Sequence, residues 1–235
     1  MKSSLRKRVV AEFLGTAFLV AAVVGSGIMA ERLSGGNAAL GLLANTIATG
    51  AALLALILAF GSISGAHFNP AVSLADAIEG GLAWREIPAY MVAQALGGLA
   101  GTILAHGMFA LPLASFSRHV RSGPAQIFSE FVATFGLLCV IWGCSRSRPN
   151  AVPFAVGSYI TAAYWFTAST SFANPAVTIA RSLSDTFTGI RPTDVLPFVL
   201  AQFGGGLAAA FLLRWLLADL RPSSKDVVLA QEAAD

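Results

Sequence analysis

Ser64-Gly65-Ala66-His67-Phe68-Asn69-Pro70-Ala71-Val72 and Ser171-Phe172-Ala173-Asn174-Pro175-Ala176-Val177 share one tripeptide, Asn-Pro-Ala, and the chain is read outward from it. Asparagine is a preferred N-cap and proline a preferred first helical residue, so each copy predicts a helix start. The apolar stretches that follow, about 69–79 and 174–184, are too short to cross a bilayer, which needs about 20 residues. A half-length helix exposed to lipid at its broken end would leave backbone groups unpaired. Each must therefore lie inside protein or line a water-filled cavity.

The surroundings agree. Of 235 residues 56% are hydrophobic and 11% charged, with a mean hydropathy of +0.72. A soluble domain has roughly a quarter of its residues charged, so an all-α integral membrane protein is expected. Six segments are long enough to span, roughly 9–30, 38–60, 85–110, 125–145, 151–170 and 194–218. The basic N-terminus followed by an apolar run resembles a signal peptide. That run continues past Glu12 to Met29, longer than a typical h-region of about 7–15 residues, so it is read as the first span. Of the fifteen Lys and Arg residues, ten fall on the side of the termini. Arg32, Arg118, Arg121, Arg181 and Arg191 fall on the other, a bias that predicts both termini in the cytoplasm. Residues 219–235 are polar and read as a cytoplasmic tail. Cys139 and Cys144 share one apolar run, read as buried small residues without a disulfide framework; no metal site and no cofactor are expected.

The halves, about 8–110 and 125–218, align. Ala11-Glu12-Phe13-Leu14 matches Ser129-Glu130-Phe131-Val132, and Ala93-Gln94-Ala95-Leu96-Gly97-Gly98 matches Ala201-Gln202-Phe203-Gly204-Gly205-Gly206. Three spans per half is an odd number, so the second half is inverted. Inverted repeats place their functional site near the midplane between discontinuous helices. Gly97 with Gly101, and Gly206 with Ala210, have the spacing of close helix contacts. Gln94 and Gln202 are read as interhelical hydrogen-bond partners. His106 and His119 receive no role.

With paired motifs on half-length segments of a six-span repeat, residues 1–218 resemble the aquaporin (major intrinsic protein) family. The resemblance implies six transmembrane helices plus two half-helices that meet end to end. Asn69 and Asn174 would each cap their own helix and leave an amide NH₂ facing the lumen. Two positive helix ends facing one point oppose cations. The residues before each motif are expected to be extended and to lend carbonyls to the pore: Gly65, Ala66 and His67 on one side, Ser171, Phe172 and Ala173 on the other. His67 is read as a buried residue contributing its carbonyl, the competing reading being a titrating gate. Glu12 and Glu130 would brace the loops before the short helices; for Glu12 the competing reading is an interfacial carboxylate beside Arg8. The family assembles as homotetramers in membrane lipid, with a pore in each subunit.

Family members select solutes at a constriction of four positions. Counted from the motifs, these are Thr49, Ala162, Ser171 and Val177. Water-selective relatives show an aromatic, a histidine, a small residue and an arginine; glycerol-conducting relatives show aromatics and the arginine. Here no ring or guanidinium is expected, so the constriction should be wide. Two readings of Arg181 stay open. The preferred one is a surface arginine at the outer end of the half-helix, and the other has its side chain curling to the mouth. The stretch Ser171 to Arg181 resembles a bacterial branch of aquaglyceroporins found with arsenic-detoxification genes. That implies passive conduction of arsenite, methylated arsenicals and glycerol across the cell (inner) membrane, with water as a further candidate. A general glycerol and water facilitator is the alternative, and a gradient-coupled transporter or an adhesion protein is weaker. Nothing suggests an enzyme or a nucleic-acid partner.

Overall fold

The computed structural model describes residues 3–217, so the expected tail, 219–235, and the end of the channel domain at 218 lie outside the described residues. Eight α-helices follow in order: α1 Leu5–Leu33, α2 Ala38–Ser64, α3 Pro70–Glu79, α4 Ile87–Met108, α5 Pro124–Ser147, α6 Val152–Phe166, α7 Pro175–Arg181 and α8 Pro192–Leu216. No strand occurs among the described residues. Local chemistry sets many of the ends. Asn37 caps α2 by accepting from the Leu40 amide, and Gly65 ends it in a left-handed conformation at φ 89°. Proline opens α3, α5, α7 and α8, where its missing N–H costs nothing.

Among the described residues five helices are long and apolar enough to cross a membrane: α1, α2, α4 with the turn before it, α5 and α8. The sixth expected span, 151–170, is corrected. It is helical only over Val152–Phe166, after a single 3₁₀ turn at Pro149–Ala151. Fifteen residues make about 22 Å at 1.5 Å each, so the helix alone is shorter than the hydrocarbon thickness. It nonetheless packs on α5 as α2 packs on α1 and keeps the sixth span's place in the repeat. Thr167 turns extended (φ −111°, ψ 138°) and the chain enters the loop before the second motif.

The two halves repeat the same packing: α1 lies on α2 and α4, and α5 on α6 and α8. They join through α2 against α6 and by an exchange, α3 packing on α8 and α7 on α4. Loops collect at two faces. On the terminal face Arg8 pairs with Glu86, and Glu79 with Arg146 and Arg214. On the far face Arg32 donates to the Phe109 carbonyl, and the Phe187 amide to Glu31. Both described chain ends therefore lie on one face.

Glycine lets the principal pairs touch. A Cβ on Gly97 would meet the Phe13 carbonyl oxygen at 2.3 Å, and one on Gly101 the Ala17 carbonyl oxygen at 2.3 Å. In the second half the matching contact is Gly205, whose Cβ would meet the Phe131 carbonyl oxygen at 2.3 Å. This corrects the register: Gly205 and the buried Ala209 form the close seam. Gly206 faces α3, with nothing nearer than 3.7 Å.

Candidate functional site

At the centre the N-termini of α3 and α7 meet. The Asn69 side-chain oxygen accepts from the Ala71 amide, and that of Asn174 from the amides of Ala176 and Val177. Each asparagine also reaches across: Asn69 Nδ2 donates to the Ala173 carbonyl at 2.7 Å and Asn174 Nδ2 to the Phe68 carbonyl at 2.7 Å. The expected free NH₂ is thus corrected to a half-committed one. An amide nitrogen carries two hydrogens; one is spent on the opposite half, which leaves one uncommitted. Both asparagines line the central cavity.

Glu12 and Glu130, each fully buried, shape the loops that lead in. Glu12 accepts from the His67 and Phe68 amides, the Ser64 hydroxyl and Gln94 Nε2. Glu130 accepts from the Phe172 and Ala173 amides and Gln202 Nε2. The glutamines are tied further, Gln94 to Ser73 and Gln202 to Thr178, each four residues past its asparagine. Arg8 pairs with Glu86, so Glu12 is no interfacial partner of it. With the amides bound to carboxylates at the loop's back, the carbonyls are free to turn elsewhere. The loops, expected to be extended, instead alternate into left-handed backbone at Ala66 (φ 50°), Phe68 (49°), Thr170 (60°), Ser171 (50°) and Ala173 (49°). Such conformations cost a non-glycine residue roughly 1–2 kcal/mol each, and the carboxylate bonds hold them.

The cavity between the halves measures about 60 Å³ and has two kinds of wall. One is aliphatic: Leu19, Val23, Leu53, Ile57, Leu137, Ile141, Val156 and Ile160. The other carries Ala66, His67, Phe68, Phe172, Ala173 and the asparagines. Gly65, expected there, lies instead beside a small polar hollow on the terminal face, with Asp76 and Tyr90. His67 borders both spaces; its Nδ1 lies 3.1 Å from the Ser73 hydroxyl and its Nε2 3.3 Å from Asp76.

Of the four counted constriction positions, Thr49, Ser171 and Val177 line the cavity. Ala162 does not. It is exposed on the outside of α6, and Tyr164, two residues on, takes the lumen side with its hydroxyl 3.2 Å from that of Thr49. Arg181 is also corrected: it is no surface arginine but 1% exposed, and it lines the cavity. The mouth therefore holds both an aromatic ring and a guanidinium. Its Nε donates to the Thr188 carbonyl, and its guanidinium carbon lies 3.3 Å from the Phe172 ring centroid.

Arg121, read from the sequence only as a far-side charge, is a second buried arginine here. It donates to the carbonyls of Gly189, Ser169 and Phe187 and to the Thr170 hydroxyl, so it holds the loops around the mouth. Burial pulls its pKa down to about 10. His106, given no role, ties the same face together through the Pro112 carbonyl and the Ser184 hydroxyl. Cys139 and Cys144 are half-buried rather than buried.

The sequence profile of the family described as Major intrinsic protein matches residues 1–163, which include the first motif but not the second. The aquaglyceroporin AqpS of Rhizobium meliloti (strain 1021) is 58% identical over 218 residues, 93% of this chain and 93% of that one. Aquaporin NIP1-4 of Oryza sativa subsp. japonica is 33% identical over 218 residues, 90% and 77% of the two chains. Among solved structures, the aquaglyceroporin from Plasmodium falciparum superposes with a TM-score of 0.70 at 21% identity, covering 92% of this chain and 98% of its own, a likeness of fold.

Proposed function

The chain belongs to the major intrinsic protein family, and from that membership we propose that it is a passive channel for small uncharged polar solutes: glycerol, arsenite as As(OH)₃ and methylated arsenicals. A member of this family is a multi-pass membrane channel and not an enzyme. The solute class rests on the two-sided cavity. Its aliphatic wall suits a carbon or methyl face, while asparagine amides and loop carbonyls offer donors and acceptors to hydroxyls. That exchange matters because burying an unpaired hydroxyl costs several kcal/mol. Arsenic enters through the likeness of the Ser171–Arg181 stretch to the arsenic-associated branch, As(OH)₃ being a neutral polyol-like molecule. The same reading puts homotetramers in the inner membrane, with both termini cytoplasmic.

No carboxylate lines the cavity among the described residues, which leaves a gradient-coupled transporter without an ion site. A second reading, a glycerol and water facilitator without an arsenic role, is favoured by Tyr164 and Arg181, which narrow the mouth. Stopped-flow light scattering on proteoliposomes separates them. Wild type is expected to pass glycerol and arsenite faster than empty vesicles, and Val177→Arg to cut both more than it cuts water. Glycerol flux without arsenite flux selects the second reading. Equal fluxes in the two proteins would remove Val177 from the constriction, and no flux at all with folded protein would sink the channel.

A further inference from the structure

We propose that Arg181 is the specificity-determining cation of the mouth, displaced by one helical turn from residue 177, and that with Ser171 it forms a polar subsite for neutral hydroxylated solutes. The proposal deepens the channel reading and rests on it. Position 177 presents only the methyl groups of valine to the cavity. Residue 181 lies four further along α7, on the same face, and also lines the cavity.

The two arginines near Phe172 make an instructive contrast. Arg121 uses Nε, Nη1 and Nη2 on loop carbonyls and a hydroxyl. Arg181 has one hydrogen bond among the described residues, from Nε to Thr188. Its terminal nitrogens keep their hydrogens for whatever occupies the cavity. Nor is it paired with a carboxylate among the described residues: Glu130, the carboxylate whose charge reaches it, is taken up by the Phe172 and Ala173 amides and Gln202. An unpaired buried guanidinium is expensive and marks function inside a membrane.

A second observation points to a ligand at the same place. The Ser171 hydroxyl oxygen is buried and lacks a hydrogen-bond partner, on a residue 2% exposed that lines the cavity. A solute bearing two or more hydroxyls satisfies both groups at once, one oxygen accepting from Arg181 and another bonding Ser171, with the Thr49–Tyr164 hydroxyl pair alongside. A cation finds no carboxylate there and meets like charge.

The test moves the charge. Proteoliposomes of wild type, Arg181→Val and the double variant Arg181→Val/Val177→Arg are compared for glycerol flux, and for proton and sodium leak under an imposed potential. Arg181→Val is expected to cut glycerol flux by about tenfold, since the subsite loses its donor, while its proton and sodium leak rises by about tenfold or more. The double variant should return the leak towards wild type, because the charge is back at the mouth by another route. Arg181→Lys should stay tight. A structural arginine would not be rescued by a charge at 177. If Arg181→Val does not fold, Arg181→Gln, which can still donate to Thr188, carries the same comparison. Arg181→Val that passes glycerol and stays as cation-tight as wild type overturns the proposal, as does a leak that Val177→Arg leaves unchanged. Wild type that passes neither glycerol nor water is a separate result, which removes the channel reading itself.

Discussion

Glu12 accepts four hydrogen bonds from three segments, and each of its oxygens faces two donors. Glu12→Gln therefore turns an NH₂ onto two N–H or O–H groups whichever way the amide lies. It is expected to lose stability by about 1–3 kcal/mol and to reduce solute flux, read by thermal unfolding in detergent and by light scattering. Unchanged melting and flux would mean that the brace is dispensable. The bracing role was legible through the family resemblance; the residues by themselves said only that a carboxylate in an apolar helix is costly and needs a partner. Ala162 was not legible. It was found by counting back from Asn174 across residues 167–173, where left-handed Thr170 and Ser171 interrupt any helical period; the count ran two residues past Tyr164. Arg181 failed differently. Its i+4 relation to Val177 gave the face correctly, but its burial comes from the 182–191 loop closing over it through Thr188, a tertiary contact that spacing does not carry.

Among the elements, α3 and α7 were legible because proline and asparagine act within a few residues of themselves. The long spans were legible from apolar length. The seam between α4 and α1, and between α8 and α5, depends on which glycine faces the partner backbone, and there the expected pair in the second half was one residue off. Gly97→Val and Gly205→Val each drive a side chain into a carbonyl oxygen. Both are expected to destabilise by at least about 1–3 kcal/mol through overpacking, whereas Gly206→Ala should melt near wild type. Thermal unfolding of the three variants checks the register, and Gly206→Ala falling as far as Gly205→Val would reverse it.

Across the whole molecule, inversion of the second half follows from an odd number of spans, and the grouping of charged side-chain contacts at two faces agrees with it. The sidedness of that arrangement in a cell is a prediction from the excess of basic residues near the termini. Reporter enzymes active only outside the cytoplasm should stay silent when fused at either terminus and become active when inserted at 34–37. Activity at both termini would invert the assignment, and activity at one alone would break the six-span count. The network on the far face, where Arg121 and His106 gather loops about 70 residues apart in sequence, left no mark that composition or periodicity could reveal.

The crossed asparagine bonds also set a timetable for biogenesis. Among the described residues the Phe68 carbonyl is answered by Asn174, 106 residues later in the chain. At ribosomal rates of about 5–20 residues per second, that partner emerges roughly 5–20 s afterwards. For that interval the first re-entrant loop has no counterpart, and its finished geometry must wait for the second half or borrow water, lipid headgroup or insertion machinery in its place.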